Sequence, residues 1–261
     1  MIRNCSELFH NRDALLTLVQ FHLKTTVSRT ALGYLWWLLD PLLLMAVYYF
    51  LVSIIFERGG EDYHLFVLCG IIPWIFFTRA VRESAQALNA NPALIRQIGM
   101  PIQTIVAVPI VVHFVFAAIG IVIIMAWYRQ ALGFHSFATV PLLVLIGVYS
   151  YGLALFLSVC QVRFRDTNEI LGYVLRAGFL LTPILYPASR VLESDRIPDF
   201  AKLLFQANPL TWIISSLRDL ISVGSLYRWQ AFAGLLVAAL LLVQLGLIWS
   251  RWQSRKIVKL L

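Results

Sequence analysis

An all-α integral membrane protein with six transmembrane helices is the architecture this sequence predicts, and three observations carry it. The 261 residues are 60% hydrophobic and 13% charged, against about 25% charged residues in soluble domains. Such an apolar surplus exceeds what a water-soluble core of this size absorbs, so it must face lipid. Six apolar segments approach the roughly 20 residues that cross a bilayer as helix: 33–56, 64–84, 104–128, 137–160, 170–187 and 230–250. With both termini cytoplasmic, fourteen of the 21 Lys and Arg residues fall on inner connections and adjoining span ends, the side that basic residues favour. No segment repeats another closely enough to define an internal repeat.

Residues 1–31 come first. Leu8, Leu15, Val19 and Leu23 share one helical face, which predicts an amphipathic helix lying on the cytoplasmic membrane surface or packed against the protein's own spans. No apolar run before a small-residue cleavage site occurs there, so no secretory leader is expected. In span one, Tyr34, Trp37, Pro41 and Tyr48 recur at steps of three, four and seven. This stripe serves helix packing or lines a path in which flat aromatic rings meet the C–H faces of sugars.

Between spans two and three, "NANPALIRQIGMP" carries the punctuation of a short helix over 92–98. Asn91 suits the N-cap, Pro92 the first turn and Gly99 the residue after the end, while Pro101 prevents resumption. Ala93, Leu94, Ile95 and Ile98 give it an apolar face beside the single charge of Arg96. An apolar face on a cytoplasmic loop implies docking, onto lipid headgroups or into a partner's groove. Further on, Asp166 and Glu169 have capping-box spacing and predict the start of span five, with Arg163 and Arg165 anchored at the inner leaflet. The outer stretch 187–229 contains "FAKLLFQANPLTWIISSLRDLI". Its apolar patches on either side of Asn208–Pro209 are too short to cross, predicting two re-entrant or interfacial helices. They form an outer cap or a gate over an exit path.

Other chemistries are absent. The basic residues are scattered through short loops rather than gathered into a patch for nucleic acid. Cys5, Cys69 and Cys160 form neither a disulfide framework nor a metal-ligand set. No Walker phosphate loop, H-E-x-x-H, C-x-x-C or G-x-S-x-G occurs. Ionisable groups within spans reduce to Asp40, His113 and Arg176, with Arg79 and Arg82 near a span end; no role is assigned to Asp40, His113 or Arg176. No carboxylate or His pair at the midplane, as a proton-driven carrier would want, is evident, and His113 reads as a satisfied packing histidine. Trp36, Trp127, Trp249 and Trp252 fall near span ends as an interfacial belt.

Six motifs then stand in order: "LGYLWWLLDPLLLMAVYYF" (32–50), "LFVLCGIIPWIFF" (65–77), "NANPALIRQIGMP" (89–101), "VRFRD" (162–166), "LTPILYP" (181–187) and "NPLTWIISSLRDLI" (208–221). Together they resemble the permease subunits of the ABC type-2 family that export polysaccharides, such as O-antigen and teichoic acid exporters. The likeness extends over nearly the whole chain and implies one transmembrane domain over 1–261. It also implies a homodimer in a bacterial cytoplasmic (inner) membrane, moving a lipid-linked glycan. Each subunit docks a separate ATPase that holds ATP and Mg, leaving this chain without catalytic residues, metal or cofactor.

On that resemblance residues 1–31 are the interface helix, and 91–99 are the coupling helix, with Asn91, Pro92, Ala93, Leu94, Ile95, Arg96 and Ile98 meeting the ATPase. Residues 188–229 are the external gate region, with Pro187, Asn208, Pro209 and Trp212 as gate residues, and Tyr34, Trp37 and Tyr48 line the translocation path. Span six, 230–250, leads to a cytoplasmic tail at 251–261. Other cargoes, such as teichoic acid, capsule, a drug or another lipid, remain alternatives, as does a membrane-embedded glycosyl- or acyltransferase. Two departures stand out. The family often has Asn or Glu where this chain has Asp40, and no extra glycan-recognition domain follows "KIVKLL".

Overall fold

In lipid a backbone has no hydrogen-bond partner but itself, and the helix satisfies its N–H and C=O groups within one segment. The computed structural model describes residues 12–28, 31–60, 62–127, 137–222 and 229–260. Arg3, Cys5, Leu8, Arg29, Glu61, Tyr128, Arg129 and Arg228 lie outside them. Eleven α-helices occur among the described residues: α1 (Arg12–Ser28), α2 (Leu35–Tyr49), α3 (Tyr63–Ala90), α4 (Pro92–Arg96), α5 (Ile102–Trp127), α6 (Thr139–Arg163), α7 (Thr167–Leu181), α8 (Ser189–Leu192), α9 (Asp199–Ala207), α10 (Pro209–Ser222) and α11 (Trp229–Leu260). α2 runs on through a π-helical turn, Phe50–Ile55.

Five stretches are long and apolar enough to cross a bilayer: Leu35–Ile55, Tyr63–Ala90, Ile102–Trp127, Thr139–Arg163 and Phe232–Ser254. They match spans one to four and six. The fifth differs. α7 has 15 residues, about 22 Å at 1.5 Å per residue, short of a hydrocarbon core of about 30 Å. Pro183 stops it by holding Thr182 in extended backbone (φ −103°, ψ 143°). The Thr182 hydroxyl donates to the carbonyl of Gly178 at 2.7 Å, satisfying a carbonyl that the ended helix leaves free. Residues 182–188 are non-helical, so the expected span over 170–187 is a short helix followed by a broken segment.

α3 is the central helix. Leu65, Val67, Ile71, Phe76, Ala80, Ala85 and Leu88 are all buried along its length, packed by α5 and α6 in one continuous core. α6 and α11 come close together at Gly152 and Gly246. A Cβ on Gly152 would meet the Val243 amide nitrogen at 3.0 Å, and one on Gly246 would meet the Gly152 carbonyl oxygen at 3.0 Å. Small residues at such crossings let membrane helices bring their backbones together. α1 lays Val19 on Val108 and Val112 of α5, with Leu15, Leu18 and Leu23 around it. The apolar face read from the sequence is thus spent on the protein's own span. α2 is the opposite case, with Pro41 its only buried residue.

Candidate functional site

α4 occupies the connection where the sequence places a docking helix, with altered details. It covers five residues rather than 92–98. Asn91 makes no side-chain cap to it; its Nδ2 instead donates back to the carbonyl of Ala87 at 2.9 Å, closing the end of α3. Gly99 has φ +69°, and the Met100 amide donates to the carbonyl of Leu94 at 3.1 Å, a left-handed ending that favours glycine. Ala93, Arg96 and Ile98 are exposed, Pro92 and Leu94 are half-buried, and Ile95 is buried in the core. The face available for docking is therefore Ala93–Arg96–Ile98, and Ile95 fastens the helix from below. Beside it, a cavity of about 430 Å³ between α1, α3 and α4 is lined by Phe21, His22, Glu83, Asn91 and Leu94.

One turn deeper lies a polar cluster spanning four helices. Asp40 of α2 is paired with Arg79 of α3. Glu83 of α3 has its Oε2 2.9 Å from Nε2 of His113 on α5 and 3.6 Å from Nε2 of His22 on α1. His113 is buried, as a packing histidine is, and it has a partner that the sequence did not show. Trp37 binds the two halves together. Its ring stacks on Phe116 at 3.7 Å, lies 4.9 Å from His113, and takes the Arg79 guanidinium at 5.1 Å.

The proposed aromatic stripe divides between two cavities. Tyr34 (6.3 Å from Phe116) and Trp37 face α5, where Trp37 lines an apolar cavity of about 300 Å³ with Pro41, Ile72 and Phe116. Tyr48 stacks on Phe179 of α7 at 5.3 Å and lines a second cavity of about 510 Å³, between α2, α3 and α7. That cavity holds Asp40, Arg79, Arg82 and Arg176 below Trp74 and Phe179.

The segment after α7 closes the other end of α3. α9 and α10 are the two short helices expected on either side of Asn208–Pro209. Asn208 fixes their elbow: its Nδ2 donates to Thr182 Oγ1 at 2.9 Å, and its Oδ1 accepts from the Leu210 amide at 3.0 Å. Trp212 Nε1 donates to the carbonyl of Gln206 at 2.7 Å. Pro187 is exposed at the end of the break. Arg218, a residue to which the sequence assigns no role, is the pin of this end. It is buried, donates to the carbonyls of Pro183 and Ile184 at 3.1 Å and of Phe66 at 3.3 Å, and lies 3.5 Å over the Phe66 ring. Tyr63 adds a hydrogen bond to the carbonyl of Leu185 at 2.9 Å. A Pro-broken segment leaves carbonyls without helix partners, and that was the signal available in sequence. The expected capping box is not formed, because Asp166 makes no side-chain bond to α7 and Thr167 Oγ1 donates to the carbonyl of Phe164 instead.

A multi-pass helical membrane protein, with a short helix at one end of its central span and a pinned helical segment at the other, has the build of a transport permease. The chain belongs to the ABC-2 type transporter family of membrane proteins, whose profile matches residues 13–221. It is 30% identical over 220 residues to the O-antigen export system permease protein RfbA of Myxococcus xanthus, covering 83% of each chain. To the protein of that name from Klebsiella pneumoniae it is 27% identical over 240 residues, 90% of each. The polysialic acid transport protein KpsM of Escherichia coli is 24% identical over 208 residues, covering 77% of this chain and 78% of that one.

Proposed function

We propose that two copies of this chain form the membrane channel of an ATP-driven exporter that moves a lipid-linked, O-antigen-like polysaccharide across a bacterial inner membrane. In this reading both termini and α4 are cytoplasmic, and α8–α10 are external. A separate subunit binds ATP and Mg and hydrolyses the nucleotide; this chain makes and breaks no covalent bond. The carrying observation is that α4 and the Asn208–Arg218 segment sit at opposite ends of one buried helix, α3. A push on the exposed face of α4 is then delivered along α3 to Phe66, where Arg218 holds the outer segment. The likeness to permeases named for O-antigen export supports the cargo, and that to a polysialic acid transport protein keeps a capsular polymer as the second candidate.

The test separates docking from folding. Ala93→Arg and Ile98→Arg alter exposed residues, so they should leave the chain folded while abolishing co-purification of the ATPase and surface glycan. Ile95→Arg places a charge in the core and should lower chain abundance instead. Full export with both exposed-face variants would refute α4 as the coupling surface.

A further inference from the structure

Beyond the channel as a whole, we propose that the cavity between α2, α3 and α7 is a binding site for the phosphate group of a lipid, gripped by Arg82 and Arg176. Three guanidiniums line this cavity, those of Arg79, Arg82 and Arg176, against one carboxylate, Asp40. Asp40 is committed to Arg79. Neither Arg82 nor Arg176 has a carboxylate within 4 Å among the described residues. Glu83, next to Arg82, is turned toward His113 and His22. Glu169 lies seven residues before Arg176, about 10 Å back along α7. Two positive charges are thus left over in one concavity.

Their depth makes that surplus informative. α3 is 28 residues long, about 42 Å, so it overshoots a hydrocarbon core of about 30 Å. Arg82 stands eight residues before its α4 end, at the level where phospholipid headgroups meet acyl chains. A free arginine at such depth is costly and marks a site when it faces a cavity. A guanidinium pair meets a phosphate with parallel, charge-assisted hydrogen bonds, which no neutral headgroup accepts as well. Deeper along the same cavity, Trp74, Phe179 and Tyr48 form a continuous aromatic wall, with ring contacts of 6.0 and 5.3 Å. It gives an apolar surface to the group attached to the phosphate. Arg176 is itself steadied over the Tyr173 ring at 5.1 Å.

The anion can belong to a bilayer phospholipid or to the lipid carrier of the exported glycan; assigning it to the carrier rests on the exporter reading. The test uses the full chain in dodecyl maltoside micelles, whose headgroup carries no phosphate, titrated with farnesyl diphosphate and with farnesol. Farnesyl diphosphate should bind and farnesol should not. Arg82→Gln with Arg176→Gln should weaken binding about tenfold or more. The Lys–Lys variant should recover part of the loss, and unchanged unfolding temperatures would show that both variants are folded. Equal binding of farnesol, or undiminished binding by the Gln–Gln variant, overturns the site. Competition by added phosphatidylglycerol supports the site and names bilayer lipid as its source; no competition supports the site and names the carrier. Complementation of an export-deficient strain by the wild-type chain reports separately on the exporter. A chain that binds the diphosphate but restores no export keeps the anion site and removes the glycan carrier.

Discussion

At the scale of single residues, the end of α3 opposite α4 depends on Arg218 more than on any residue that the sequence marked. Its side chain satisfies carbonyls at Phe66, Pro183 and Ile184, and a buried carbonyl stripped of its donor costs about 1–3 kcal/mol. Arg218→Ala should therefore lower the unfolding temperature in detergent and open residues 182–187 to protease, while α4 keeps its interactions. A variant as protease-resistant as wild type would remove Arg218 from this role. Its neighbour Asp219 gives a pH signature. Burial raises the Asp219 carboxyl above its ordinary value, with Arg218 drawing it partly back. The folded state thus holds this proton more tightly than the unfolded chain, so folding carries a cost at neutral pH that fades as the pH falls through the raised value. Asp219→Asn should be more stable than wild type at pH 7, with the gap closing in acid. A gap that widened in acid would contradict the sign. The sequence signalled only the need for a donor at the Pro-broken segment and not which residue supplies it, because the partners of Arg218 lie across the fold. His113 and Glu83 show the same limit: a contact between residues thirty apart leaves no mark in hydropathy or spacing.

At the scale of elements, apolar run length located five of the six expected spans, though it stopped the second at 84 where the helix runs to Ala90. It lengthened the fifth, because Thr182–Pro183 sits inside an apolar run and hydropathy alone reads across it. The proline was visible; its force as a helix terminator is local chemistry that a window average conceals. The short helices around Asn208–Pro209 were legible because each is amphipathic and too short to cross. Capping motifs fared worse. Asn91 and Asp166 have the right identities, yet Asn91 bonds back to Ala87 and Thr167 bonds to Phe164 instead, since several nearby backbone groups compete for one short side chain. The α6–α11 crossing yields a sharper expectation. With backbone atoms 3.0 Å from where a Cβ would stand, Gly152→Leu must push the helices apart. It should reduce folded yield severely. Gly234→Leu, where a Cβ meets nothing within 4 Å, is the matched control. Equal yields from the two would mean that the close crossing is not needed.

At the scale of the molecule, the chain divides into a firmly packed body and one weakly held helix. α3, α5 and α6 share a continuous core with α11 against α6, whereas α2 contributes only Pro41 to the buried set. The ion pair of Asp40 with Arg79, the stacking of Trp37 on Phe116 and of Tyr48 on Phe179, and the partly buried Leu42, Leu44 and Met45 hold α2 to that body along one side only. This asymmetry was legible only in part. Hydropathy ranks α2 among the spans but says nothing about which spans are surrounded by protein.

A helix so lightly anchored takes its tilt from the thickness of the bilayer around it. Leu35–Ile55 has 21 residues, about 31 Å of helix, closely matched to an average hydrocarbon core. Thicker or thinner bilayers must change its angle before they disturb the packed body, because mismatch is relieved first where fewest contacts resist. Reconstituted into lipids of graded acyl-chain length, a spin label at exposed Val47 should change its depth and orientation, while one at exposed Val144 of α6 should hold steady. Membrane composition then acts on this protein as a tuning variable.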